Sequence, residues 1–207
     1  STDLPIKNFF SEKMNIEEIK ISTDKNKIEN LISIVRAYKN NPQLYILNKI
    51  IKEGFISIES KIFFNKDGSI KNNYLIDGDI EDLKIELLNG SLIENINLSF
   101  LVKDKEYLFY NISSIYQSVK IKSNQIKIFE NKNYYSFIGD ISNQKSQIDP
   151  EQFSFLVNNN FKNTVKENLI ISSNNKFSFK LNKKLKFSDL NFESRLYLEK
   201  FEFANKI

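Results

Sequence analysis

The chain has 207 residues and is 41% hydrophobic, enough to bury a sizeable core as one large β domain or two small ones. Its 30 basic and 26 acidic residues leave a net charge of +4, a mixed surface rather than the basic stripe that nucleic-acid binding needs, so nucleic acid is not an expected partner. Cysteine and histidine are both absent, which excludes disulfides, thiolate nucleophiles, soft metal sites and the commonest general base.

The N-terminal part predicts one strand and two amphipathic helices over residues 1–54. In "KNKIENLISIVRAYKN", Ile28, Leu31, Ile32 and Val35 fall at helical spacing, with Thr23 or Asp24 available as the N-cap. In "NPQLYILNKIIKEG", Asn41 can cap, Pro42 suits the first helical position and Gly54 is the expected stop.

From Phe55 the pattern changes to period two, which sends alternate side chains to opposite faces of a strand. Turn chemistry at "NKDGS" (65–69), "DGD" (77–79), "NGS" (89–91), "KDKE" (103–106) and "ENKN" (130–133) separates the strands of a first segment, 55–142. In "INLSFLVKDKEYLFYNI", Ile96, Leu98, Phe100 and Val102 alternate with polar or smaller residues, and Tyr107, Phe109 and Asn111 are expected to share a face on the return. "VKIKSNQIKIF" repeats the grammar with Val119, Ile121, Ile126 and Ile128 around a "KSN" turn. Residues 143–165 read as a loop with a short helix, for which Asp149, Pro150 and Gln152 supply a capping box. A second segment, 166–207, holds Phe177, Phe179, Leu181, Leu190, Phe192, Leu196 and Leu198 on strands, with a change of phase before Phe201 and Phe203. Its basic run "KLNKKLKF" (180–187) reads as the wet face of a strand. The two β segments are weakly similar to one another, without a fixed period.

Candidate chemistry is sparse. "DGDIED" brings Asp77, Asp79, Glu81 and Asp82 together, but without the spacing of a calcium loop, and it reads as a solvated turn. No serine sits in a nucleophile elbow, and no glycine-rich loop could cradle phosphate. The sequence therefore points away from an enzyme and calls for no cofactor or metal. No apolar run approaches the ~20 residues of a membrane span, and no signal peptide opens the chain. Ending on strand-like "FEFANKI", it reads as a piece of a longer protein.

The succession "IIKEGFISIESKIFFNKDGSIKNNYLIDGDIEDLKIEL" (50–87), "GSLIENINLSFLVKDKEYLFYNIS" (90–113), "GDISNQ" (139–144) and "NNKFSFKLNKKLKFSDLNFESRLYLEKFEF" (174–203) resembles AsmA-like proteins of the YhdP and TamB type. These are repeating β-groove, bridge-like lipid-transfer proteins. The likeness covers roughly residues 45 to 205 and rests on strand patterns rather than signature residues. It implies a mostly β fold: a long, twisted antiparallel meander forming an open half-pipe groove, preceded by the helix pair and broken by a short helical interruption. It also implies a periplasmic location in a protein anchored at the inner membrane through parts of the chain not present here. The expected ligand is a phospholipid or other acyl-chain lipid. The expected groove residues are Ile96, Leu98, Phe100, Val102, Val119, Ile121, Ile126, Ile128, Phe177, Phe179, Leu181, Leu196 and Leu198. About ten strands would lay down roughly 50 Å of apolar floor. Alternation alone equally allows a closed β-sandwich or barrel serving as a binding or structural module, in which the same side chains would be covered by protein.

Overall fold

The computed structural model describes residues 16–38, 42–67, 69, 71, 73–87, 89–157, 165 and 167–199. Nine strands form one sheet: β1 (Glu18–Lys27), β2 (Ile51–Phe63), β3 (Leu75–Glu86), β4 (Leu92–Lys103), β5 (Glu106–Tyr116), β6 (Val119–Glu130), β7 (Tyr134–Ile148), β8 (Leu169–Asn182) and β9 (Phe187–Glu199). Their order in space is their order in sequence, and every neighbouring pair is antiparallel. The sheet does not close, because β1 and β9 are its two edges. A closed sandwich or barrel is therefore not what the described residues build. At about 4.8 Å per strand spacing, the sheet is roughly 38 Å across its strands.

Among the described residues, three helices interrupt the meander: α1 (Ile28–Tyr38) and α2 (Pro42–Ile50) between β1 and β2, and α3 (Pro150–Val157) between β7 and β8. Pro42 takes the first helical position of α2, as the sequence predicts; Asn41 lies outside the described residues. The box at α3 forms in full: Gln152 N–H donates to Asp149 Oδ1 at 2.7 Å, and Asp149 N–H donates to Gln152 Oε1 at 3.1 Å. At α1 the predicted caps fail. Thr23 and Asp24 lie within β1, which runs on to Lys27, so the strand passes straight into the helix.

Several expected turns prove to lie inside long strands. Gly54 does not stop α2, which ends at Ile50; it lies in β2 with φ of 148°, where the register to β3 shifts. "DGD" runs mid-strand in β3, and "KSN" is a bulge in β6 rather than a turn. At Gly54 and "KSN" the physical reason is an extra residue in one strand, which resets the side-chain phase without reversing the chain; at "DGD" the ladder is regular, and Gly78 serves the close approach of the Phe100 ring. The side chains that look like turn formers hydrogen-bond these bulges. Asn97 Oδ1 accepts from the N–H of Asp82, and the Asp140 carboxylate accepts from the backbone N–H groups of Asn124 and Gln125. The basic run also departs from expectation. It spans the β8–β9 turn, with Lys180 paired to Asp189 at 2.8 Å and Lys183 to Glu130 at 2.6 Å. One reversal carried no recognisable signal: Gln117 and Ser118 turn between β5 and β6 with φ of 49° and 64°, values usually taken by Asn or Gly.

Gly78 and Gly139 occupy matching places in "GDI" tripeptides of β3 and β7, each beneath a cross-strand phenylalanine. A Cβ on Gly78 would meet the backbone carbonyl of Ser57 and, at 2.9 Å, the Phe100 ring; one on Gly139 would lie 2.8 Å from the Phe177 ring. Gly78→Ala is thus expected to destabilise by roughly 1–3 kcal/mol, with no rescue from Phe100→Leu because the main obstacle is backbone. Gly139→Ala should be partly rescued by Phe177→Leu. Urea unfolding of the two double-variant sets checks this contrast.

Candidate functional site

Residues directly opposite one another in an antiparallel ladder share a face, so the register assigns every strand residue to one side. Phe100 stands between Gly78 and Phe109, Phe109 opposite Ile126, Ile126 opposite Gly139, Gly139 opposite Phe177, and Phe177 opposite Phe192. A second row runs from Ile121 through Asn143 and Ser173 to Leu196. Followed through the bulges, the register puts every groove residue expected from the sequence on this one face. Phe109 lies there too, as do Ile56, Ile58, Ile80 and Phe137, which simple alternation did not single out.

Bulges explain part of the difference. Along β5, Tyr107 and Phe109 lie on this face, but Asn111 does not follow them as expected. Its φ is 55°, and Ile112 takes the position opposite Ser123. Asp82, Asn95 and Asp189 likewise adopt positive φ where the register shifts. Asn and Asp tolerate this conformation better than other side chains. An Asx residue interrupting apolar alternation is therefore the signal that marks where the apolar face changes phase.

Coverage of the apolar face is uneven. One cluster packs Ile28 and Ile32 of α1 against Leu83 and Ile96, with Ile51, Ile85 and Leu98 partly buried beside them. A second joins Val119, Ile148, Val165, Leu169 and Ile171, with Phe153 of α3 packed against it. Ile51, Ile93, Val119 and Leu169 lie at the starts of β2, β4, β6 and β8 and Ile85 and Ile148 at the ends of β3 and β7, which in an antiparallel meander is one margin, so both helical connections cover the same margin of the sheet. Among the expected groove residues, Ile96, Phe100 and Val119 are buried, while Leu196 is 51% and Leu198 42% exposed. The others are half-buried. Beside the α3 cluster, Tyr116, Val119, Ile121, Phe153, Ile171 and Leu196 line a hollow of about 290 Å³.

At the margin away from the helices the floor is aromatic. Phe137 and Phe179 stack with centroids 4.5 Å apart at 11°, and Phe179 also meets Phe177 at 5.9 Å and Phe187 at 5.0 Å. A polar rim borders it. Tyr107 Oη donates to Glu130 Oε2 at 3.2 Å, Glu130 pairs with Lys183, and the Lys183 ammonium lies 3.9 Å from the Tyr135 ring centroid.

The arrangement offers apolar contact along a continuous surface. Asp77, Asp79, Glu81 and Asp82 do not converge: Glu81 pairs with Lys25, Asp79 accepts from Ser99 Oγ, and Asp82 lies at a bulge. Among the described residues, no group of His, Cys, Asp and Glu is placed to hold a metal ion, and no helix is long and apolar enough to cross a membrane. No family model, curated protein or solved structure matches the chain.

The rim sets two pH limits. The hydrogen bond from Lys183 holds the Glu130 carboxyl below the usual range, whereas desolvation, followed by the Glu130 charge, pushes the Tyr107 phenol up to about 12. A depressed carboxylate contributes stability above its unfolded value of about 4.3, which is lost as pH falls through the folded value. A raised phenol contributes stability below about 10, which is lost as pH climbs toward 12. Glu130→Gln should flatten the acid limb of a stability–pH profile, and Tyr107→Phe the alkaline limb. Thermal melts across pH at low and high salt check both, and partial exposure of the Glu130–Lys183 pair makes its contribution shrink with salt.

Proposed function

We propose that this chain is a segment of a bridge-like conduit that shields phospholipid acyl chains in an apolar groove for transport between inner and outer membranes. The observation that carries the reading is the alignment of apolar side chains from nine successive strands on one face of an unclosed sheet, with much of that face uncovered. Moving a methylene from water to such a floor is worth ~0.8 kcal/mol, and the gain is similar from one strand to the next. A chain can then shift along the floor without crossing a large barrier, while its headgroup stays in water at the margin. No step in this role is catalytic. The resemblance to AsmA-like proteins favours a periplasmic setting, with membrane anchoring supplied elsewhere in the protein.

Native mass spectrometry of protein purified from a Gram-negative host tests the reading. Co-purified phospholipid, or uptake from phosphatidylethanolamine vesicles, is the expected result; protein that stays lipid-free under both conditions overturns it. Phe179→Asp, a half-exposed position that water can reach, should lower lipid occupancy while the sheet stays folded. Val119→Asp buries an unpaired carboxylate at a site only 5% exposed and should cost ~3 kcal/mol or more, enough to threaten folding itself. Circular-dichroism melts distinguish the two outcomes.

A further inference from the structure

We infer that β9 is a self-complementary edge through which two copies of this chain pair antiparallel about a two-fold axis at Ser194. Every residue of β9 is exposed, and its only partner among the described strands is β8, so alternate backbone N–H and C=O groups face outward along Phe187–Glu199.

The side chains specify a register. Pairing Ser194 with its own copy sets Glu193 opposite the Arg195 of the second copy on the polar face, and Arg195 opposite its Glu193. On the apolar face the same register sets Phe192 opposite Leu196, and Leu190 opposite Leu198. Phe192 is 60% exposed and Leu190 69%, so both gain cover from the second copy. A slip by one residue in this self-pairing removes the direct Glu–Arg match, and cross-strand like charges are unfavourable where opposite ones are favourable. The ion pair within one strand, Arg195 to Glu193 at 3.6 Å between highly exposed side chains, is loose enough to exchange partners.

The opposite edge lacks this character. β1 presents Glu18, Lys20, Lys25 and Lys27, and Ile21 is its large apolar side chain with marked exposure, the charged design that discourages edge pairing. Because residues facing each other in an antiparallel pair lie on the same side, the apolar faces of the two copies become continuous. The inference does not depend on what that face binds.

Sedimentation velocity across a concentration series should show a monomer–dimer equilibrium. Glu193→Arg alone and Arg195→Glu alone should each weaken the dimer about tenfold, since each sets like charges opposite one another twice. The double exchange should restore it. Ser194→Cys, introduced into a chain without cysteine, should give a disulfide-linked dimer on mild oxidation, whereas Ser22→Cys on β1 should not. Circular dichroism confirms that the exposed-site variants remain folded. A monomer at all concentrations overturns the inference, as does a double exchange that fails to restore dimers, or a disulfide-linked dimer formed by Ser22→Cys in place of Ser194→Cys, which would signal pairing through β1.

Discussion

The structure depends on the backbone ladder between sequence neighbours. In most β domains a second layer covers the apolar face of the sheet and supplies much of the stability. Here the described residues provide only two small clusters under helices, so each strand is held chiefly by the strands on either side. The fold is thus close to one-dimensional: register errors are local in origin but turn every later side chain over, because the side-chain period is two. Keeping apolar residues on one side across nine strands is therefore the governing constraint, and the bulges are how the chain meets it.

Each bulge allows a strand to shift its phase without losing its partner. The cost is a locally broken ladder, and polar side chains offset it. Asp140 illustrates the economy of the device: it sits in β7 on the polar face, yet its carboxylate serves the amides of Asn124 and Gln125 in the neighbouring strand. Asn97 does the same for Asp82. Of the acids that look like calcium ligands, Asp79 instead accepts from Ser99 Oγ and Glu81 pairs with Lys25. Gly78 and Gly139 complete the pattern. In lacking a Cβ they leave room for Phe100 and Phe177 to lie flat on the floor, so the aromatic side chains cover the sheet instead of standing away from it.

The mostly β character was legible in the sequence because period-two alternation is strong wherever no bulge intervenes, as in Ile126–Ile128 or Phe177–Leu181, whereas alternation left open and closed sheets equally allowed. The capping box at α3 was equally legible, since both partners are local. What escaped has a common cause: Gly, Asn, Asp and Ser suit a bulge or a close approach inside a strand as well as they suit a turn. Hence Gly54 at positive φ beside a register shift, "DGD" where Gly78 makes room for Phe100, and "KSN" at the β6 bulge read as chain reversals, whereas Gln117–Ser118, a true reversal, carried no Gly, Asn or Asp. Exposure of the groove positions could not be read at all. Alternation records that a side chain leaves water, not whether protein or a guest receives it, and only the absence of a second sheet decides how much of the face stays open.

The two helical connections give the open face a direction. Both α1 and α3 lie over the same margin, where Ile96 and Val119 are buried, and the aromatic margin beyond Phe179 is bordered by polar groups that include the Tyr107, Glu130 and Lys183 rim. A guest lying across the strands would therefore be walled on one side by helices and bounded on the other by groups that bond well to water. That asymmetry suits an amphiphile better than a wholly apolar molecule: its tail finds the aromatic floor while a polar end can reach solvent without crossing the helical wall. It also explains why the rim is built from a paired carboxylate and ammonium instead of further apolar residues. A charged border limits how far the apolar surface extends toward water, and so keeps an open sheet from becoming a wholly adhesive one.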